Sequence, residues 1–195
     1  MDKERRVLED NIRHTYMSVV WSHKIQEKEV DILTEKFKCY ETLRIFCASA
    51  TSVGLISLIF IDEFCLKIIS AIVSFISTSI SMFFKSFEIQ SNISNHKKTA
   101  VDLLIIRDKL KLLLVEIHLN NINVEDIYCK YEELQNQLGI VYKEAPNTTD
   151  KAVDRASKAL KINKDNEFSD QEIDANLPKS LQRRSQGINE SKKIR

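Results

Sequence analysis

Hydroxyl side chains recur along one stretch of the chain: Ser70, Ser74, Ser77, Thr78 and Ser81 follow one another at steps of one, three and four. On a helix of about 3.6 residues per turn, that spacing gathers them on one face. The larger apolar residues of the same stretch, Ile69, Ile72, Val73, Ile76, Ile80 and Phe83, fall largely elsewhere. Such a row suits two kinds of chemistry. It lets two helices approach closely and hydrogen-bond across their contact. Alternatively, with several copies arranged about an axis, it lines a passage for water and ions, since two helices alone cannot enclose one. Asp62 and Glu63 stand just ahead of the row. They read either as an acidic ring at the mouth of such a passage, favouring cations, or as solvated turn residues.

Residues for other chemistry do not assemble. The glycines, Gly54, Gly139 and Gly187, are too far apart to form a phosphate-cradling loop. His14, His23, His96 and His118 are scattered without metal-ligand spacing, and no nucleophile elbow surrounds any serine. Neither a cofactor, a metal nor enzyme activity is expected. Cys39, Cys47, Cys65 and Cys129 lack paired spacing and read as reduced packing residues. With 29 basic and 28 acidic residues the charge nearly cancels, which argues against a nucleic-acid partner.

The elements that would position the hydroxyl row are helices. Three glycines and two prolines in 195 residues are too few for a strand-rich fold. Residues 45–61 and 68–84 are two runs of 17 without a charge, joined by a short turn. At about 1.5 Å per residue each run covers roughly 26 Å, close to a hydrocarbon core of about 30 Å. Leu43 and Leu66 extend the runs, and Arg44 and Lys67 can snorkel. The expectation is an integral membrane hairpin in residues 43–85, with spans about 43–61 and 66–84. Lys36, Lys38, Arg44, Lys85, Lys97 and Lys98 flank it, against Lys67 alone in the turn, which places both termini in the cytoplasm.

On either side the pattern is amphipathic. Ile12, Tyr16, Val19, His23, Gln26, Val30, Leu33, Phe37 and Tyr40 follow a heptad in residues 1–42, and Leu103, Ile106, Leu110, Leu113 and Ile117 form a second stripe. The two predict an antiparallel coiled coil that continues both spans as a stalk. His23 on this seam reads as a packing or register residue, and Trp21 as buried against a neighbouring helix. Leu104, Ile105, Leu112, Leu114 and Val115 exceed a two-helix seam and call for a third helix or another subunit. Asn123 caps a further helix expected to end at Gly139 and to cover that surplus. Asn147 or Thr148 would cap a last helix through Leu160, closing a cytoplasmic helical region of residues 86–160. The polar stretch 161–195 reads as a disordered tail. The fold class expected is therefore all-α: a two-transmembrane hairpin continuing into a cytoplasmic coiled coil or bundle.

The order of motifs resembles a known family. Trp21-Ser22-His23-Lys24 precedes the hairpin, and His96-Lys97-Lys98-Thr99-Ala100 follows it. Then come a capped helix, Ala145-Pro146-Asn147-Thr148-Thr149-Asp150-Lys151-Ala152 and Ala156-Ser157-Lys158-Ala159-Leu160. Over roughly residues 5–160 the chain is similar to the SLATT family, the SMODS- and SLOG-associating two-transmembrane effector domains. The resemblance implies a pore-forming effector of prokaryotic antiphage conflict systems in the inner membrane. It implies homo-oligomerisation in a lipid bilayer and a trigger from a nucleotide second messenger or a nucleotide-synthesising or nucleotide-sensing partner. A membrane-anchored coiled-coil scaffold without pore activity is the competing expectation. The family offers no catalytic motif, so no catalytic residue carries over.

Overall fold

The computed structural model describes residues 3–60, 64–165, 168–178 and 182, with side chains inside the helices described except at 55, 57–60, 66 and 83–87. Asp62 and Glu63 lie outside the described residues. The described residues form six helices and no strand: α1 (Lys3–Phe60), α2 (Phe64–Phe87), α3 (Ile89–His118), α4 (Val124–Glu144), α5 (Asp150–Lys161) and α6 (Asp170–Asn176). The chain divides into two units, residues 1–157 and 158–195.

In the first unit, α1 is a single helix of 58 residues, as expected of a chain with so few helix breakers. It packs against α2, α3 and α4. Partner numbers give the directions. His23 meets Ala100 and Gln26 meets His96, so α3 runs antiparallel to α1. Lys98, Lys109 and Glu116 meet Glu144, Gln137 and Lys130, so α4 runs antiparallel to α3. Thr15, Ser22, Gln26, Glu29 and Glu35 each bond a residue 120 further along the chain. From Gln135 to Arg155 the chain therefore follows α1 in parallel, at a constant offset.

The core sits where α1, α3 and α4 meet. Ile12 and Val19 bury against Leu103, Ile106, Leu110, Leu113 and Ile117, with Ile127, Leu134 and Leu138 from α4. This apolar burial is the main favourable term holding the body together. The helix ends are satisfied by identifiable groups. Arg5 donates to the carbonyls of Ile117 (2.8 Å) and Ile122 (3.2 Å), tying the start of α1 to the end of α3. Asn120 adopts φ 58° as α3 terminates, with the Asn121 amide reaching back to Glu116. Asn123 caps α4 by accepting from the Asp126 amide at 2.8 Å.

Several expectations need correction. The heptad of α1 holds as far as Gln26. Glu29 and Ile32, each 2% exposed, then take the buried positions, while Val30, Leu33 and Phe37 are half-buried and Tyr40 is exposed. Two successive steps of three displace the seam, because Glu29 is drawn inward by the turn before α5. The stalk is continuous on one side only: α2 and α3 are separated at Glu88, in the left-handed region at φ 42°. Gly139 does not end α4, which continues to Glu144; a Cβ at Gly139 would meet no atom within 4 Å. Thr149 rather than Asn147 or Thr148 stands at the head of α5, where its hydroxyl and carbonyl both face the Ala152 amide. All four cysteines are free, but Cys39, Cys65 and Cys129 are exposed rather than packed. Trp21 is half-buried.

In the second unit, the stretch read as a tail contains α6. Ser169 and Glu172 form a reciprocal capping box at its start, so this piece carries its own local reason to be helical.

Candidate functional site

The hydroxyl row of α2 divides in two. Ser70 is 7% exposed and Ser77 and Ser81 are half-buried, while Ser74 and Thr78 face outward. Val73 and Ile80 are half-buried among the inner serines. The inner set thus repeats at close to helical spacing on the side towards α1. Opposite Ser70 lies Gly54, where any Cβ would fall on the Ser70 hydroxyl oxygen. Glycine lets the Ser70 hydroxyl lie directly against α1; any side chain at 54 would have to displace it. Some hydroxyls also answer to their own helix. Thr78 donates to the Ser74 carbonyl, Ser81 to Ser77, Thr51 to Cys47 and Ser52 to Ala48. These bonds satisfy the hydroxyls locally, four residues back. The outer surface of the hairpin is apolar. Phe46, Phe64, Phe75 and Met82 are each at least 70% exposed, and Ile45, Val53, Ile56, Ile68, Ile69, Ile72 and Ile76 are exposed beside them. Among the described residues no helix is long and apolar enough to cross a membrane; the described side chains of the two runs end at Ile56 and Met82.

A second constellation lies in the body, between α1, α3 and the turn before α5. His96 is buried with its Nδ1 against Gln26 Oε1 at 2.5 Å. Since that oxygen only accepts, Nδ1 carries the proton. The Gln26 amide in turn donates to the Pro146 carbonyl at 3.4 Å. One turn along α1, the Glu29 carboxylate accepts from the Thr149 amide (2.9 Å) and hydroxyl (2.6 Å). His23, also buried, donates from Nδ1 to the Ala100 carbonyl at 2.9 Å and turns Nε2 towards Glu27. Lys24 pairs with Glu27 at 2.9 Å. At the outer edge Arg155 grips Glu35 through two bonds of 2.9 Å and holds its carboxyl below its ordinary pKa. Burial lowers the pKa of His96, with the Glu29 charge opposing. Among the described residues no buried side-chain nitrogen or oxygen is left without a partner. A polar cluster satisfied so fully fixes register rather than offering a reactive group. No cluster of metal-ligating side chains occurs among the described residues.

This cluster was largely hidden in the sequence. His96 and Thr149 stand in separate stretches of the resemblance with nothing to link them, and Glu29 has no local signal of a partner. The available signal was the polar pair His23 and Gln26 on an otherwise apolar seam, with a third polar residue, Glu29, three positions on. The stretches that carry the family resemblance, around His23, His96 and Thr149, are the ones that meet here.

Fold and site together define the class: an all-helical protein in which a close-packed hairpin grows from a bundle of antiparallel helices. Within it the chain belongs to the SMODS and SLOG-associating 2TM effector domain family 4, whose family profile matches residues 8–172. The match takes in the hairpin, the bundle and α5 and reaches into α6, further than the motifs alone indicated. No curated protein and no solved structure matches the chain significantly.

Proposed function

We propose that the chain is a membrane effector of a prokaryotic antiphage system. Its hairpin enters the inner membrane with both termini in the cytoplasm, and copies assemble so that the membrane becomes leaky and depolarises. The observation that carries this reading is the outward apolar surface of the hairpin. Large side chains from Ile45 to Met82 are left facing out, at a density that soluble proteins bury. Hydrocarbon satisfies such a surface without cost, and two charge-free runs joined by a short turn suit a bilayer. The family description, a 2TM effector domain, agrees. The trigger in this reading is a nucleotide second messenger, or a partner that makes or senses one. It acts by binding the open and closed arrangements with different affinity. Ser74 and Thr78, the outward hydroxyls, are the residues proposed to face a passage between copies, with Asp62 and Glu63 at its mouth.

Expression in cells carrying a membrane-potential dye tests the proposal. Depolarisation that needs the trigger is the expected result. A chain recovered in the aqueous fraction without detergent would overturn it.

A second reading, a membrane-anchored scaffold, draws support from Ser70, buried against Gly54, and from the hydroxyls bonded to their own helix. Replacing the outward hydroxyls, Ser74→Ala with Thr78→Val, while leaving the inner Ser70, Ser77 and Ser81 in place, separates the two. A pore changes its conductance, whereas a scaffold keeps its function.

A further inference from the structure

Helix α3 has two apolar faces, and the body uses one of them. Leu103, Ile106, Leu110, Leu113 and Ile117 are buried in the core. On the opposite side, Val101, Ile105, Leu112, Val115 and Leu119 are all exposed, Leu112 by 60% and Leu119 by 59%. With Asp108 they form an unbroken heptad seam, 101, 105, 108, 112, 115, 119, at steps of four and three. Neither α1 nor α4 covers it. A helix with two opposed apolar stripes calls for a partner on each side.

We propose that the outer face of α3 docks a second copy of this chain, parallel and in register, and that Asp108 holds this association in check. The charges beside the seam select the partner and its direction. In a parallel pair, Lys97 of one copy lies opposite Asp102 of the other, and Lys111 opposite Glu116, which are opposite signs. Reversing one helix about the middle of the seam sets Asp102 against Glu116, Lys109 against Lys109 and Lys111 against Lys111, all like charges. Glu116 already holds Lys130 at 2.7 Å through one carboxylate oxygen, which leaves the other oxygen to meet Lys111 of the second copy in the proposed pair. Such rim charges decide orientation more than affinity. Parallel alignment is also what a shared bilayer demands; resting on the membrane reading above, all hairpins enter from the same side.

Asp108 is the exception on the seam. It is exposed and paired with its neighbour Arg107 at 2.9 Å. In register, two Asp108 carboxylates share one layer, where a polar or charged residue fixes the pairing at the expense of stability. The pairing is therefore weak by construction and responsive to anything that raises the local concentration of copies.

The test uses the full chain in membrane vesicles, with Cys39, Cys47, Cys65 and Cys129 replaced by Ser. Leu112→Cys should cross-link to itself on mild oxidation far more than Ser18→Cys, an exposed position on α1. Asp108→Leu should tighten association by about tenfold, read as cross-linked fraction against protein density. Equal yields for Leu112→Cys and Ser18→Cys, or an Asp108→Leu chain no tighter than its parent, would overturn the proposal. Efficient cross-linking between Ile105→Cys and Val115→Cys chains would overturn the parallel direction. Alkaline extraction of the same vesicles separates this inference from the one beneath it. If the chain stays in the membrane and Leu112→Cys fails to link, only the docking face falls. If the chain is released yet still links, the hairpin reading falls and the docking face stands.

Discussion

The body and the hairpin are built inside out relative to each other. In the body, Ile12, Leu103 and Leu110 are withdrawn from the surface and most charges face solvent. In the hairpin, Phe46, Phe75 and Met82 face outward, and the inner contact is made by a glycine and a serine. The same chain thus follows two packing rules within one helix, α1, and the rule changes near residue 43. Large apolar side chains inside reflect water as the surrounding medium. Small residues inside, with large ones outside, are the arrangement that the proposed bilayer setting would favour, since apolar surface in hydrocarbon has nothing to escape from.

Core truncation should give the widest contrast. Leu110→Ala is expected to cost the body about 2–5 kcal/mol, as buried leucines generally do. Phe75→Ala in detergent should shift the same unfolding midpoint by under about 0.5 kcal/mol, as at other exposed positions. Comparable losses would erase the distinction between the two regions. Gly54→Leu should separate α1 from α2 and cost about 1–3 kcal/mol through overpacking, measured by thermal unfolding in micelles. Pairing it with Ser70→Gly should recover part of the loss if that contact is the cause.

Glu29→Ala leaves the Thr149 amide and hydroxyl without their acceptor, a loss of about 1–3 kcal/mol at a buried site. Faster hydrogen exchange at 149–153, with the Leu110 region unchanged, would show that the turn before α5 opens by itself. A smaller effect is expected from pH. His96 has a lowered pKa in the folded body, so the unfolded chain binds its proton more readily. Stability is then complete above the unfolded value of about 6.5 and declines as pH falls through and below it. His96→Gln should flatten that decline in urea titrations between neutral pH and pH 5. Smallest of all, Glu88→Gly should stabilise the chain by about 0.5–1 kcal/mol, since glycine takes the left-handed backbone without strain. No gain would mean that Glu88 is held there by contacts worth more than the strain.

The helices and the hairpin were legible because their signals are local. Scarce glycine and proline, two charge-free runs and two heptad stripes each lie within one segment of sequence. The polar cluster was not legible, since it joins residues 70, 77 and 120 positions apart, and nothing local to Glu29 or Thr149 announces their meeting. The break at Glu88 also carries no warning, since neither glycine nor proline marks it. Conversely, Gly139 invited a helix end, but the helix tolerates a glycine whose neighbours supply enough packing, at a cost of about 1 kcal/mol. Of the hydroxyl row, spacing predicted one face, while the division into inner and outer serines required knowing where α1 lies.

The joint at Glu88 makes the two legs of the hairpin mechanically unequal. Through α1, about 87 Å of uninterrupted rod connects the end held by Arg5 to the turn of the hairpin. Torque applied at the far end of the body travels up this leg intact. The other leg is jointed at Glu88, so α3 and α2 do not form one rod and no continuous helix carries a torque from α3 into α2. Only one leg of the hairpin thus offers an unbroken helical path from the body, which is how a crank differs from a clamp.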